Sequence, residues 1–214
     1  MNLLNTILDI VFPVNCVSCN KNGEILCLEC ISLFPKAERE CEEWIYPLYD
    51  YRHPPVKKLI WQLKYNKKRR LAEVLGQLMY ENIVLELSDL SILENFREPL
   101  IVPIPLSYER LKERGYNQAL LLCENIEKIN KDLKVSKNVL TKIKETEHQA
   151  NIKDRSERLK NLIGTFTVKN ENLIQKRNII LIDDVTTTGA TLNEAKKTLK
   201  QAGAKKIIAF TIAH

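Results

Sequence analysis

One stretch constrains the fold more than any other: Asn178–Asp184 (NIILIDD), followed through Val185 by the polar run Thr186–Thr191 (TTTGAT). Ile179–Ile182 is an unbroken apolar, mostly β-branched run, too short for a helix and suited to burial on both faces of a sheet. Helical spacing follows over Thr191–Ala202, with Gly203 at the position where a helix commonly ends. Lys205–Ala213 (KKIIAFTIA) then reads as a second buried strand. Strand, helix, strand in this order implies a parallel sheet with helices covering its faces.

The chemistry of the same stretch is specific. Ligands of such sheets bind at the carboxyl ends of the strands, where Asp183 and Asp184 emerge. Thr186, Thr187, Thr188, Gly189, Ala190 and Thr191 turn the chain into a helix, and successive amides in such a turn form a concavity for an anion. Threonine hydroxyls add donors there, and Gly189 lets the backbone come close to a phosphate. The carboxylates repel a phosphate but accept hydrogen bonds from sugar hydroxyls, directly or through Mg²⁺. Donors at one end and acceptors at the other describe a site for a sugar phosphate.

The rest of the 214 residues fills in the frame. Pro99–Pro105 (PLIVPIP) reads as a buried strand bounded by prolines. Val56–Ile83 and Ser107–Asn130 carry helical periodicity, the second broken by Gly115, and Pro47–Pro55 reads as a linker or a strand and turn. Thr165–Val168 alternates like a short strand, and Thr141–Asn161, polar and without periodicity, is expected to be a mobile loop. Met1–Val14 is apolar at helical spacing but lacks the basic leader and cleavage site of a signal peptide; it reads as a short amphipathic helix docked on the protein, with membrane attachment as the alternative. No apolar run is long enough to span a bilayer, so membrane insertion is not expected and a cytoplasmic location is.

Cys16-x2-Cys19-x7-Cys27-x2-Cys30 places four cysteines in two knuckles. In a reducing compartment this spacing suits four-coordinate Zn²⁺ in a closed, structural site, with an iron–sulfur cluster or free thiols as alternatives. Cys123 lies in an apolar helical run and reads as core. These features divide the chain into residues 1–46, a helix and zinc-binding module, and residues 47–214, an α/β domain.

Between Lys57 and Arg70 lie seven cations (Lys57, Lys58, Lys64, Lys67, Lys68, Arg69, Arg70), no acid, and the aromatics Trp61 and Tyr65. The mixture suits single-stranded nucleic acid; equally, Trp61 and Tyr65, one helical turn apart, suit a core-facing stripe with the lysines in water.

The thirteen residues Ile179–Thr191 resemble the fingerprint of the type I phosphoribosyltransferases. The resemblance implies that Asp183 and Asp184 hold the ribose hydroxyls of 5-phosphoribosyl 1-pyrophosphate (PRPP), with Mg²⁺, and that Thr186–Thr191 hold its 5-phosphate. It also places the diphosphate near Arg110, Arg114 and Gly115, after the first core strand. The cysteine knuckles, Leu63-Lys64-Tyr65, Arg114-Gly115-Tyr116-Asn117-Gln118, Gln149 and Arg158-x2-Asn161 are similar to those of the ComF family of bacterial competence proteins. That resemblance implies a role in natural transformation, handling incoming single-stranded DNA beside other competence proteins. A metabolic enzyme transferring phosphoribose to a base or amine is the alternative. Many relatives carry a further cysteine pair; here Cys41 is followed three residues on by Trp44, which argues against a second metal site.

Overall fold

The computed structural model describes residues 14–37, 42–66, 69–143 and 163–214. Its centre is a four-stranded parallel sheet in the order β1-β6-β5-β2, built from β1 (Ile45–Tyr49), β2 (Leu100–Pro103), β5 (Ile179–Val185) and β6 (Ile207–Ala213). The expected strands at both ends of the acid-pair motif are therefore present and adjacent: Ile179 pairs with Ile207 and Asp183 with Thr211. β1 straddles the boundary expected after residue 46. It sits at an edge of the sheet, where Pro47 costs little because only one side of the strand needs its donors.

The period of two along each strand sorts its residues between two cores. Ile101, Ile180, Ile182, Ile208, Phe210 and Ile212 face one of them. That core is closed by α2 (Pro54–Tyr65), α3 (Arg69–Leu93) and α5 (Gln118–Ile129), and also contains Cys16, Val17, Leu26, Cys27, Cys30 and Phe34 of the cysteine segment. The segment, with its short α1 (Leu28–Ser32), thus shares the core of the main domain. Val102, Ile179, Leu181, Ile207 and Ala209 face the other core, under α6 (Ala190–Gln201) and an antiparallel hairpin of β3 (Leu140–Lys142) and β4 (Phe166–Val168).

Three elements differ from the sequence expectation. The helical stretch beginning at Val56 is two helices, the first ending at Asn66, in the cation-rich stretch where like charges one turn apart oppose a continuous helix. The second runs on to Leu93, past the expected end at Ile83, because Leu87 and Leu90 still find apolar neighbours. Leu140–Lys142 is a strand paired with Phe166–Val168, whereas the loop was expected to begin at Thr141. Residues 1–13 of the expected N-terminal helix, Cys41, Lys67, Lys68, Gln149, Arg158 and Asn161 lie outside the described residues.

α3 and α5 cross closely. A Cβ at Gly76 would lie 2.8 Å from the Cβ of Asn125, so a glycine is what this contact requires. Among the described residues no helix is long and apolar enough to cross a membrane.

Candidate sugar-phosphate site and cysteine cluster

β5 carries Asp183 and Asp184 at its carboxyl end, as the order of residues requires. Alternation turns the two side chains to opposite faces. Asp184 shares the parity of Ile180 and Ile182, which face α2, α3 and α5, and it is buried. The Lys64 ammonium of α2 reaches it at 3.2 Å, and only 18% of the Lys64 side chain is exposed. Asp183 folds back so that its Oδ1 accepts a hydrogen bond from the Asp184 amide at 2.8 Å. Burial, and next the neighbouring Asp184 carboxylate, push the Asp183 carboxyl up to about 7; the Asp184 amide, Lys64 and Arg114 pull in the opposite direction.

The loop after the acids has the expected form. Thr186 is buried, and its amide donates to the Ala213 carbonyl at the end of β6; Thr187 is exposed, and the half-buried Thr188 accepts from the Ala190 amide at 3.4 Å. Gly189 (φ 72°) caps α6 in the left-handed region, where a β-carbon is strained. Ala190 and Thr191 begin the helix. The loop therefore leads the chain directly into a helix N-terminus at the carboxyl edge of the sheet.

Two short motifs, fifty residues apart in sequence, lock together beside the acids. Gly115 (φ 78°) ends α4 (Tyr108–Arg114), and Asn117 caps α5 by accepting from the Ala119 and Leu120 amides. This turn presents Tyr116, whose hydroxyl donates to the Leu63 carbonyl, and Gln118, whose side-chain amide donates to the Lys64 carbonyl at 3.4 Å. Arg114 donates to Gln118 Oε1 at 3.0 Å and lies over the Tyr65 ring at 5.4 Å. Arg114 Nε is buried without a partner among the described residues. Arg110 sits one turn earlier on α4, half-buried.

The structure thus brings Asp183, Asp184, Lys64 and Arg114 together, and Lys64 leaves the group with which the sequence placed it. Its charge is engaged by Asp184 and its side chain is largely covered, so it belongs to the acid pair. Of the other cations, Lys58, Arg69 and Arg70 line a cavity of about 580 Å³ whose opposite wall is Asn15, Cys16 and Val17 of the cysteine segment. Lys57 lies over the Tyr51 ring.

The four cysteine sulfurs lie within 4.8 Å of one another, with Cys16 to Cys30 at 3.8 Å and Cys19 to Cys27 at 3.7 Å. Four thiolates about 2.3 Å from a central Zn²⁺ would stand about 3.8 Å apart, so the cluster fits a tetrahedral ion. Burial pushes the Cys16 thiol up, but the amides of Cys19, Cys27 and Ser18 outweigh it and bring it down to about 6. The Cys30 amide favours the Cys27 thiolate, yet burial and the thiols of Cys30, Cys19 and Cys16 drive Cys27 up to about 12. Four sulfurs this close cannot all be thiolates without a cation among them. Cys123 is wholly buried in the core, and burial raises its thiol further.

The raised Asp183 carboxyl has a consequence for stability. A carboxyl near its ordinary value when unfolded and near 7 when folded binds more protons in the folded state between those limits, so folding loses stability as pH rises through them. Asp183→Asn carries no such charge. In buffer without divalent cations its melting temperature should exceed that of the parent, by clearly more at pH 8 than at pH 5. Equal differences at the two pH values would show that Asp183 is not held in an unfavourable ionised state.

Comparison with known proteins agrees with this arrangement. A family model described as a phosphoribosyl transferase domain matches residues 124–214, which contain β5, the loop and α6. Competence protein F of Haemophilus influenzae is 33% identical over 162 residues, 74% of this chain and 68% of that protein. Competence protein ComFC of Streptococcus pneumoniae is 40% identical over 123 residues, covering 56% of this chain and 50% of the relative. The DNA utilization protein YhgH of Escherichia coli is 28% identical over 188 residues, 87% of this chain and 76% of that protein. A phosphoribosyltransferase-type parallel sheet, a cysteine cluster able to hold a metal ion, and relatives at this level of identity place the chain in the ComF family.

Proposed function

We propose that this protein binds PRPP at the carboxyl edge of its sheet and acts in natural transformation, in the handling of incoming single-stranded DNA in the cytoplasm. The observation that carries the first part is the acid pair, with Asp184 buried against Lys64, beside a loop that runs straight into a helix N-terminus. Amides and hydroxyls of the Thr186–Thr191 loop, the Thr186 amide excepted because Ala213 accepts from it, would hold the 5-phosphate, and Asp183 and Asp184 the ribose hydroxyls, with Mg²⁺ neutralising the carboxylates and the diphosphate. Arg114, whose buried Nε has no partner among the described residues, is a cation suited to the diphosphate, with Arg110 one turn away. The names of the relatives, competence proteins and DNA utilization proteins, support the second part.

Titration calorimetry tests the first part. PRPP should bind with Mg²⁺ present and bind weakly or not at all without it. The Asp183→Ala/Asp184→Ala variant, its fold verified by circular dichroism, should show no binding. A parent protein that gives no heat of binding with Mg²⁺ would leave the fold as a scaffold and end this reading.

The cysteine cluster is the place for a structural Zn²⁺, held by Cys16, Cys19, Cys27 and Cys30. Closed by four protein ligands, it would stabilise the segment that completes the core over α2. Elemental analysis should find one zinc per chain, and chelation should lower the melting temperature. Cys27→Ser, which removes one ligand, should lose both the metal and that sensitivity; a parent protein purified without metal yet unaffected by added zinc would exclude the ion.

A further inference from the structure

Trp61 and Tyr65 do not serve the core. Val56, Leu59, Ile60 and Leu63 form the buried face of α2, and the two aromatics project from the opposite one, 53% and 44% exposed. Large exposed aromatics are costly to leave in water, and these two stand together, ring centroids 5.8 Å apart and tilted by 42°. Lys57, Trp61 and Tyr65 recur every four residues, so they form one ridge along the helix. Cations alternate with the rings: Lys57 lies 5.9 Å from the Tyr51 ring at one end, and Arg114 5.4 Å from the Tyr65 ring at the other.

The ridge also has a fixed address. Lys64, adjacent to Tyr65, is the residue paired with Asp184, and Arg114 is close enough to act on Asp183. Tyr116 and Gln118 hold the backbone of Leu63 and Lys64 in place. The Tyr65 end of the aromatic pair therefore lies next to residues that contact the acid pair, on a helix end fixed by Tyr116 and Gln118.

We propose that Trp61 and Tyr65 are a base-stacking platform for single-stranded nucleic acid, seating unpaired bases at the mouth of the acid-pair site while the flanking cations meet the strand's phosphates. Two features favour nucleic acid over a protein partner. Rings beside the exposed Lys57 and Lys58 match a polymer that alternates flat faces with phosphates. The stretch from Lys57 to Arg70 also has no acidic residue to repel such a polymer. Stacking is indifferent to base identity, so the platform would bind strands without strong sequence preference. The inference rests on the reading that this family member handles single-stranded DNA, and adds where the bases go.

The chain has two tryptophans, and Trp44 is engaged elsewhere, donating to Glu42 at 2.7 Å and covered by Lys196 at 3.8 Å from its ring. Trp44→Phe therefore leaves Trp61 as the reporter. A deoxythymidine oligonucleotide should quench its fluorescence, whereas inorganic polyphosphate of equal charge should not. In the otherwise unaltered protein, fluorescence anisotropy of a labelled oligonucleotide should show Trp61→Ala/Tyr65→Ala binding about tenfold more weakly or worse, with the salt dependence unchanged because the phosphate contacts remain. Both variants change partly exposed side chains, and the anisotropy arm stands even if Trp44→Phe does not fold. Equal quenching by polyphosphate, or an unchanged affinity without the two rings, would overturn the platform. Repeating the titration with Asp183→Ala/Asp184→Ala separates the two readings: quenching should persist there whether or not PRPP binds to the parent.

Discussion

Two carboxylates side by side at the end of a buried strand are an unfavourable arrangement, and much of this structure exists to sustain it. Asp184 is buried and needs a cation; Lys64 supplies one at 3.2 Å. Breaking such a pair by removing one partner typically costs about 3–5 kcal/mol, because the remaining charge stays buried. Lys64 can serve only if the end of α2 is held over the sheet. That is done from one side by the Tyr116 and Gln118 hydrogen bonds to the backbone of α2, and from the other by the core that α2 shares with the cysteine segment. Asp183 is left with a carboxyl displaced to about 7, a residual strain that a bound cation or sugar would relieve.

Seen this way, the cysteine cluster and the acid pair are parts of one construction. Cys16, Cys27 and Cys30 are buried in the same core as Leu59, Ile60 and Leu63. An ion held by the four sulfurs would thus fix the outer wall of α2, while the motif from Arg114 to Gln118 fixes its end. Ligands of parallel α/β folds bind in the crevice at the carboxyl ends of the strands, and the end of α2 brings Lys64 to that edge. The same helix also presents Lys57, Lys58, Trp61 and Tyr65 to solvent.

Much of this was legible from the sequence, for identifiable reasons. Ile179–Asp184, the glycine at 189 and Gly203 are local signals, and β5, α6 and β6 formed as their spacing required. The break at Gly115 and the convergence of the four cysteines were equally local. What could not be read were the long-range choices. Lys64 lay in a run of cations that looked uniform, and only the register of α2 against β5 separates it from Lys57 and Lys58. Trp61 and Tyr65 suited either a core stripe or an exposed one, since four-residue spacing places two residues on one face without saying which face. The strand at Leu140–Lys142 was hidden because its partner lies more than twenty residues away, beyond a long polar stretch.

The most direct test of the central claim is a crystal structure of the protein grown with PRPP and Mg²⁺. The account predicts the 5-phosphate on the amides of Thr187–Thr191 and the ribose hydroxyls at Asp183 and Asp184. It further predicts Arg114 on the diphosphate and α2 still clamped by Tyr116. A ligand bound away from the β5–α6 loop, with the Lys64–Asp184 pair intact and the loop empty, would contradict it.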